Sequence, residues 1–127
     1  MKNKEIIIEE SEFDFIRELI NTSPIKTDKT YNSTLKRLEK ELKSAKVVKN
    51  EDMPNDIVRL HSKITIKINP NLIRDFKIVL PEKSNLSENK LSILSPMGLA
   101  LYGYAVGDEI LWQFPSGVTK IKVLKVE

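Results

Sequence analysis

SILSPMGLALYGYAVGDEILWQF, residues 92–114, decides how this chain folds. An apolar run (Leu91, Ile93, Leu94) stops at Ser95-Pro96, a compact apolar segment follows (Met97, Leu99, Leu101), and Val106-Gly107-Asp108 turns the chain before alternation resumes at Ile110, Trp112 and Phe114. Serine accepts well from the unpaired N–H groups of a helix start, and proline suits the first helical position, where a missing N–H costs nothing. Ser95 and Pro96 therefore predict a helix of one or two turns, which Gly103 can end in the left-handed conformation. Gly107-Asp108 fits the turn that launches the next strand. The stretch reads strand, short helix, tight turn, strand.

Upstream of it, Ile57 to Ile68 predicts a strand, alternating best at Ile64, Ile66 and Ile68 against Lys63, Thr65 and Lys67. Asn69-Pro70-Asn71 signals a turn, and Phe76, Ile78 and Leu80 predict a second alternating strand ended by Pro81. Downstream, Pro115-Ser116-Gly117 reads as a hairpin turn into Val118–Val126, whose alternation slips between Lys122 and Lys125. An antiparallel sheet of four to five strands with one short helix accounts for residues 51–127.

Residues 1–50 have another character. Ile6 to Ile8 reads as a short strand or a packed lead-in. Ser11 offers a helix cap, and Phe13, Ile16 and Ile20 recur at helical spacing until Asn21-Thr22-Ser23-Pro24 breaks the pattern. Leu35, Leu38, Leu42 and Ala45 form a second helical seam from about Thr30. Two such seams joined by a short connection predict an antiparallel helical hairpin. The fold class is α+β, with helices and strands segregated along the chain.

Composition narrows the chemistry. The 127 residues contain no cysteine, so disulfides, thiolate metal sites and cysteine nucleophiles are excluded. No apolar window approaches the length of a signal-peptide core or a membrane span, and a cytoplasmic protein acting as a monomer is the expectation. The net charge of +3 is mild, but seven basic residues face two acidic ones between Lys29 and Lys49. Lys29, Lys36, Lys40 and Lys43 share one helical face, read either as a solvated face or as a stripe that meets phosphate backbone. His61 is the sole histidine, which rules out a histidine pair, and no P-loop or GxGxxG occurs. The adjacent carboxylates Glu51-Asp52 and Asp108-Glu109 read as solvated turn residues, and Tyr102, Tyr104 and Trp112 as core and core-edge packing. No catalytic, metal or cofactor site emerges, and the chain is not expected to be an enzyme.

Leu94-Ser95-Pro96-Met97-Gly98-Leu99-Ala100-Leu101, then Gly103, Val106-Gly107-Asp108, Pro115-Ser116-Gly117 and Val123, resembles the C-terminal signature of the GreA/GreB transcription elongation factors. The resemblance reaches further back, through Ala45-Lys46-Val47-Val48 and Met53-Pro54-Asn55-Asp56-Ile57-Val58, to short-armed members of that family. It implies an FKBP-like C-terminal domain (51–127) carrying an N-terminal coiled-coil arm (1–50), with bacterial RNA polymerase as partner. It also places a polymerase-docking loop at Leu94, Ser95, Pro96 and Met97, seated on the rim of the polymerase secondary channel. Cleavage-stimulating members carry paired acidic residues at the tip of a long arm. Here the segment from Thr22 to Thr30 offers only Asp28, so competition with longer factors and no stimulation of cleavage is expected. The alternatives are a cleavage factor with a shortened arm and an FKBP-type peptide-binding or prolyl-isomerase module.

Overall fold

The computed structural model describes residues 5–22, 29–114 and 117–127. In chain order the elements are β1 (Ile7–Glu9), α1 (Glu10–Asn21), α2 (Lys29–Lys43), β2 (Lys46–Val48), β3 (Lys63–Ile68), β4 (Leu72–Val79), β5 (Lys90–Ser92), α3 (Pro96–Leu101), β6 (Glu109–Phe114) and β7 (Gly117–Val126). The α+β class stands. Residues 23–28, with the expected arm tip and Asp28, lie outside the described residues, as does the Pro115-Ser116 turn.

The main sheet has the order β5-β4-β3-β7-β6. It is mixed rather than antiparallel, because β5 pairs parallel with β4 while the other three pairings are antiparallel. A parallel neighbour needs a long return connection. The polar stretch 80–89 supplies it, through two single 3-10 turns at Pro81–Lys83 and Leu86–Glu88. The expected strand from Ile57 begins only at Lys63. Ile57 instead makes a lone bridge to Ala105, and Arg59–Ser62 closes a turn in which the Arg59 N–H donates to Ser62 Oγ. His61 sits in that turn, exposed and at φ 72°, an ordinary place for a surface histidine. The slippage in the last strand is a bulge: Ile66 faces Val123 and Thr65 faces Lys125, leaving Leu124 as the extra residue.

At the other end of the chain, β1 and β2 form a two-stranded parallel sheet with Ile8 opposite Val47. The cap of α1 is Glu9 rather than Ser11: its carboxylate accepts from the Glu12 N–H at 3.0 Å and from the Ser11 hydroxyl. Those two residues hold the Glu9 pKa below the usual carboxylate range.

One apolar core runs through both halves. Ile6, Ile8, Ile16 and Ile20 from the N-terminal region join Leu38 and Leu42 of α2. The same cluster takes in Ile64, Ile66, Ile78, Ile121 and Val123 of the sheet and Leu99 and Leu101 of α3. Burying apolar side chains stabilises by roughly 1.5–3 kcal/mol each, so the helices gain most of their stability from this sharing. Gly103, at φ 86°, is required twice over, because a Cβ there would stand 2.2 Å from Cδ1 of Ile6.

A polar bridge crosses the same boundary. Glu12 of α1 accepts from Arg59 Nε at 2.7 Å, from the Leu60 N–H at 3.1 Å and from the Tyr102 hydroxyl at 2.9 Å. Tyr102 is 2% exposed, and burial, with the Glu12 charge next, pushes its pKa well above the ordinary value. Below pH of about 10 both folded and unfolded tyrosine are protonated and this contribution is complete. Above it the unfolded chain ionises first, so stability falls as pH rises. We expect urea unfolding at pH 9, 10 and 11 to show the wild type losing stability more steeply than Tyr102→Phe, by up to about 1.4 kcal/mol per pH unit. Parallel slopes would contradict the assignment.

Candidate functional site

Residues 92–101 are built as a rigid corner. The Ser92 carbonyl accepts from the Ser95 N–H at 3.0 Å and the Ser95 hydroxyl at 2.6 Å, and Ser92 Oγ accepts from the Leu94 N–H at 3.1 Å. Ser95 Oγ then caps α3 by accepting from the Gly98 N–H at 3.0 Å, with Pro96 in the first turn. A Cβ on Gly98 would lie 2.2 Å from the Ser92 carbonyl oxygen, so only glycine lets the helix start press onto the strand end. Leu94, Ser95, Pro96 and Met97 emerge contiguous and half-buried, with Leu94 and Met97 resting partly on the core. Each side chain offers a fixed, part-apolar surface, a form suited to holding another protein.

The far end of α3 is held by a residue that the sequence pattern does not single out. Arg37 of α2 donates through Nη2 to the carbonyls of Leu99 at 2.9 Å and Ala100 at 3.1 Å. Its Nη1 donates to the Tyr104 hydroxyl at 3.0 Å and to both carboxylate oxygens of Glu41, each at 3.0 Å. The guanidinium also lies 5.1 Å from the centre of the Tyr104 ring, near enough for a cation–π attraction. A cation at the C-terminal carbonyls complements the helix dipole. Burial raises the pKa of Tyr104, with Arg37 pulling the other way. The one local signal that could have pointed to Arg37 is its type: it is the one arginine in the lysine-rich segment 29–49, and a forked donor suits paired carbonyls better than an ammonium does.

Of the basic face, Lys36, Lys40 and Lys43 are exposed, on the side of α2 turned away from the buried Leu38 and Leu42. The Lys29 side chain lies outside the described residues. The α2 helix therefore has three duties: leucines into the core, Arg37 onto α3, lysines to solvent. Asp108 departs from its expected solvated state. It is 5% exposed and accepts from the Ala105 N–H at 2.8 Å, so it shapes the Gly107 turn from inside. No helix among the described residues is long and apolar enough to cross a membrane.

Comparison with known proteins agrees with this geometry. The family model described as "Transcription elongation factor, GreA/GreB, C-term" matches residues 53–127. The regulator of nucleoside diphosphate kinase of Escherichia coli strain K12 is 37% identical over 92 residues, covering 71% of this chain and 68% of that protein. GreA of Clostridium acetobutylicum is 37% identical over 94 residues, but the match spans only 58% of its length. Among solved structures, a GreA/GreB elongation factor from Nitrosomonas europaea superimposes with a TM-score of 0.80 at 29% identity, over 98% of each chain. Thermus aquaticus Gfh1, at 20% identity and a TM-score of 0.54, shares the fold. With the matched segment containing the whole Ser95–Asp108 corner and its sheet, the chain belongs to the GreA/GreB transcription elongation factor family.

Proposed function

We propose that this chain is a regulator that binds bacterial RNA polymerase as a monomer. It docks at the rim of the secondary channel through Leu94, Ser95, Pro96 and Met97, where it competes with longer Gre-type factors and does not itself stimulate transcript cleavage. The observation that carries the docking half is the pre-organised corner: serine hydroxyls, a glycine contact and the Arg37 clamp hold the four residues before any partner arrives. Binding then costs little ordering entropy.

The inactive half of the reading rests on the arm. Helices of 12 and 15 residues reach only about 18 and 22 Å at 1.5 Å per residue. A catalytic Mg²⁺ needs carboxylate oxygens gathered around it, and the connecting segment carries one, Asp28. We read residues 1–50 as a short antiparallel hairpin arm on an FKBP-like docking domain, 51–127. Lys36, Lys40 and Lys43, with Lys29, add electrostatic attraction for the polymerase or its nucleic acid. An effect on nucleoside diphosphate kinase, the enzyme named for the Escherichia coli relative, is then indirect, through transcription.

A pull-down with core polymerase tests the docking. The double variant Pro96→Ala, Met97→Asp is expected to bind at least about tenfold more weakly, a loss of about 1.4 kcal/mol or more, while keeping its circular dichroism spectrum. Equal capture of folded variant and wild type would remove the docking assignment.

A further inference from the structure

The sheet has a second face, turned away from the helices, on which lysines are the commonest residue beside the exposed Ile73, Leu111 and Val118. The inward residues Ile64, Ile66, Ile78, Ile121 and Val123 join the core with α3, so the alternate positions point the other way. Cross-strand register sets three lysines in one row over three adjacent strands: Lys90 opposite Lys77, and Lys77 opposite Lys63. They line a shallow cleft of about 400 Å³. Four residues along β3, Lys67 and Lys122 face each other in a further row, flanked by Ile73 and Glu109.

Like charges directly opposite in a sheet are destabilising, so this arrangement works against the fold that carries it. Neighbouring acids offset it only in part. Asp75 accepts from the Thr65 hydroxyl at 2.7 Å, Glu88 pairs with Lys90 at 3.0 Å, Glu109 with Lys120 at 3.5 Å, and Glu127 with Lys125. Among the described residues, Lys63, Lys67, Lys77 and Lys122 make no direct salt bridge, although Glu127 interacts with Lys63 through space and Glu109 stands opposite Lys122 on β6. Lysine rows that the fold compensates only in part suit a partner of opposite charge.

We propose that this sheet face binds the phosphate backbone of double-stranded nucleic acid, without reading its sequence. Protein-binding surfaces are enriched in aromatic residues and arginine and depleted in lysine, whereas this face presents compact ammonium charges. Among the described residues the lysine rows carry no outward aromatic side chain on which unpaired bases could stack, which disfavours single strands. The spacing fits a duplex. Lys63 and Lys67 are four residues apart, about 13 Å at 3.3 Å per residue, close to the roughly 12 Å width of a major groove. The two rows can therefore meet phosphates on either side of that groove. Because α3 packs on the opposite face of the sheet, this contact and docking through Leu94–Met97 do not compete for the same surface.

The test is fluorescence anisotropy of a fluorescein-labelled 20-base-pair DNA duplex of mixed sequence, titrated with the full chain at several salt concentrations. Wild type is expected to bind with a log–log salt slope near −3.6, for about four phosphate contacts. The quadruple variant Lys63→Gln, Lys67→Gln, Lys77→Gln, Lys122→Gln is expected to bind at least about tenfold more weakly at low salt with a flatter slope. The corresponding Lys→Arg variant should recover binding, and the Gln variant should still be captured by core polymerase if the docking proposal holds. Absence of wild-type binding would overturn the inference. So would loss of binding in Lys36→Gln, Lys40→Gln, Lys43→Gln with the sheet variant unaffected. Tighter binding of a labelled single strand, polyglutamate or phosphatidylserine vesicles would assign the face to another partner and equally overturn it.

Discussion

Glu12→Ala is expected to destabilise the chain by about 2–4 kcal/mol, because it removes one partner of a part-buried ion pair and leaves the buried Tyr102 hydroxyl without its acceptor. Glu12 is a single carboxylate serving three donors from two segments: the Arg59 guanidinium, the Leu60 N–H and the Tyr102 hydroxyl. Its side chain is 12% exposed and Tyr102 is nearly sealed, so water can reach the Arg59 side of the lost carboxylate but not readily the Tyr102 hydroxyl. Without it, α1 loses its main polar hold on the sheet region: Arg59 keeps only Glu9 at 4.0 Å and Asn50 at 3.3 Å, and Tyr102 keeps its desolvation cost. Against a total stability of about 5–15 kcal/mol, the loss should be plain in a urea titration. Glu12→Gln keeps an acceptor and should cost less, about 1–3 kcal/mol, through the neutralised pairing with Arg59. An alanine effect under about 1 kcal/mol would mean that the helices are held by the apolar core alone.

Arg37→Met is the second large effect, expected to cost about 2–3 kcal/mol and roughly 6–12 °C in Tm. Methionine preserves the apolar stem that lies along α2 but removes every donor to Leu99, Ala100 and Tyr104. Glu41 then loses the ion pair it makes with Arg37. Arg37→Lys should recover only part of the loss, because one ammonium cannot reproduce the fork that spans two carbonyls. Arg37 grips the opposite end of the helix that presents Pro96 and Met97. Its removal should therefore weaken polymerase capture even at temperatures where the variant is folded. Normal capture by a destabilised Arg37→Met would show that the docking corner is set by Ser92, Ser95 and Gly98 without help from α2.

What could be read from the sequence follows the range of the interactions. The α3 corner was legible because its signals are local: the Ser95 cap, Pro96 and Gly103 act within a few residues of themselves. Slippage near Lys122–Lys125 was visible for the same reason, since a bulge disturbs alternation wherever its partner lies. The Glu9 cap was missed in favour of Ser11, a better capping type. Glu9 nonetheless accepts from both Ser11 and Glu12, and parallel pairing with β2 fixes where β1 hands over to the helix. Arg37 and Glu12 were not legible as clamps because the distant groups they hold lie 47 to 90 residues away in sequence. Parallel pairing of β4 with β5 was hidden in the same way: the alternation of a strand states which face is apolar, not the direction of its neighbour. Asp108 shows the reverse error, a carboxylate in a turn that the backbone folds over.

The measurement that bears most directly on the account is a transcript-cleavage assay on backtracked RNA polymerase complexes with Mg²⁺. The chain is added alone and then in increasing amounts against a long-armed Gre factor. The account predicts no shortening of the transcript by the chain alone, and dose-dependent suppression of the cleavage that the long-armed factor stimulates. The Pro96→Ala, Met97→Asp variant should lose that suppression. Shortening of the transcript by the chain itself, or cleavage by the long-armed factor undiminished at saturating chain, would contradict it.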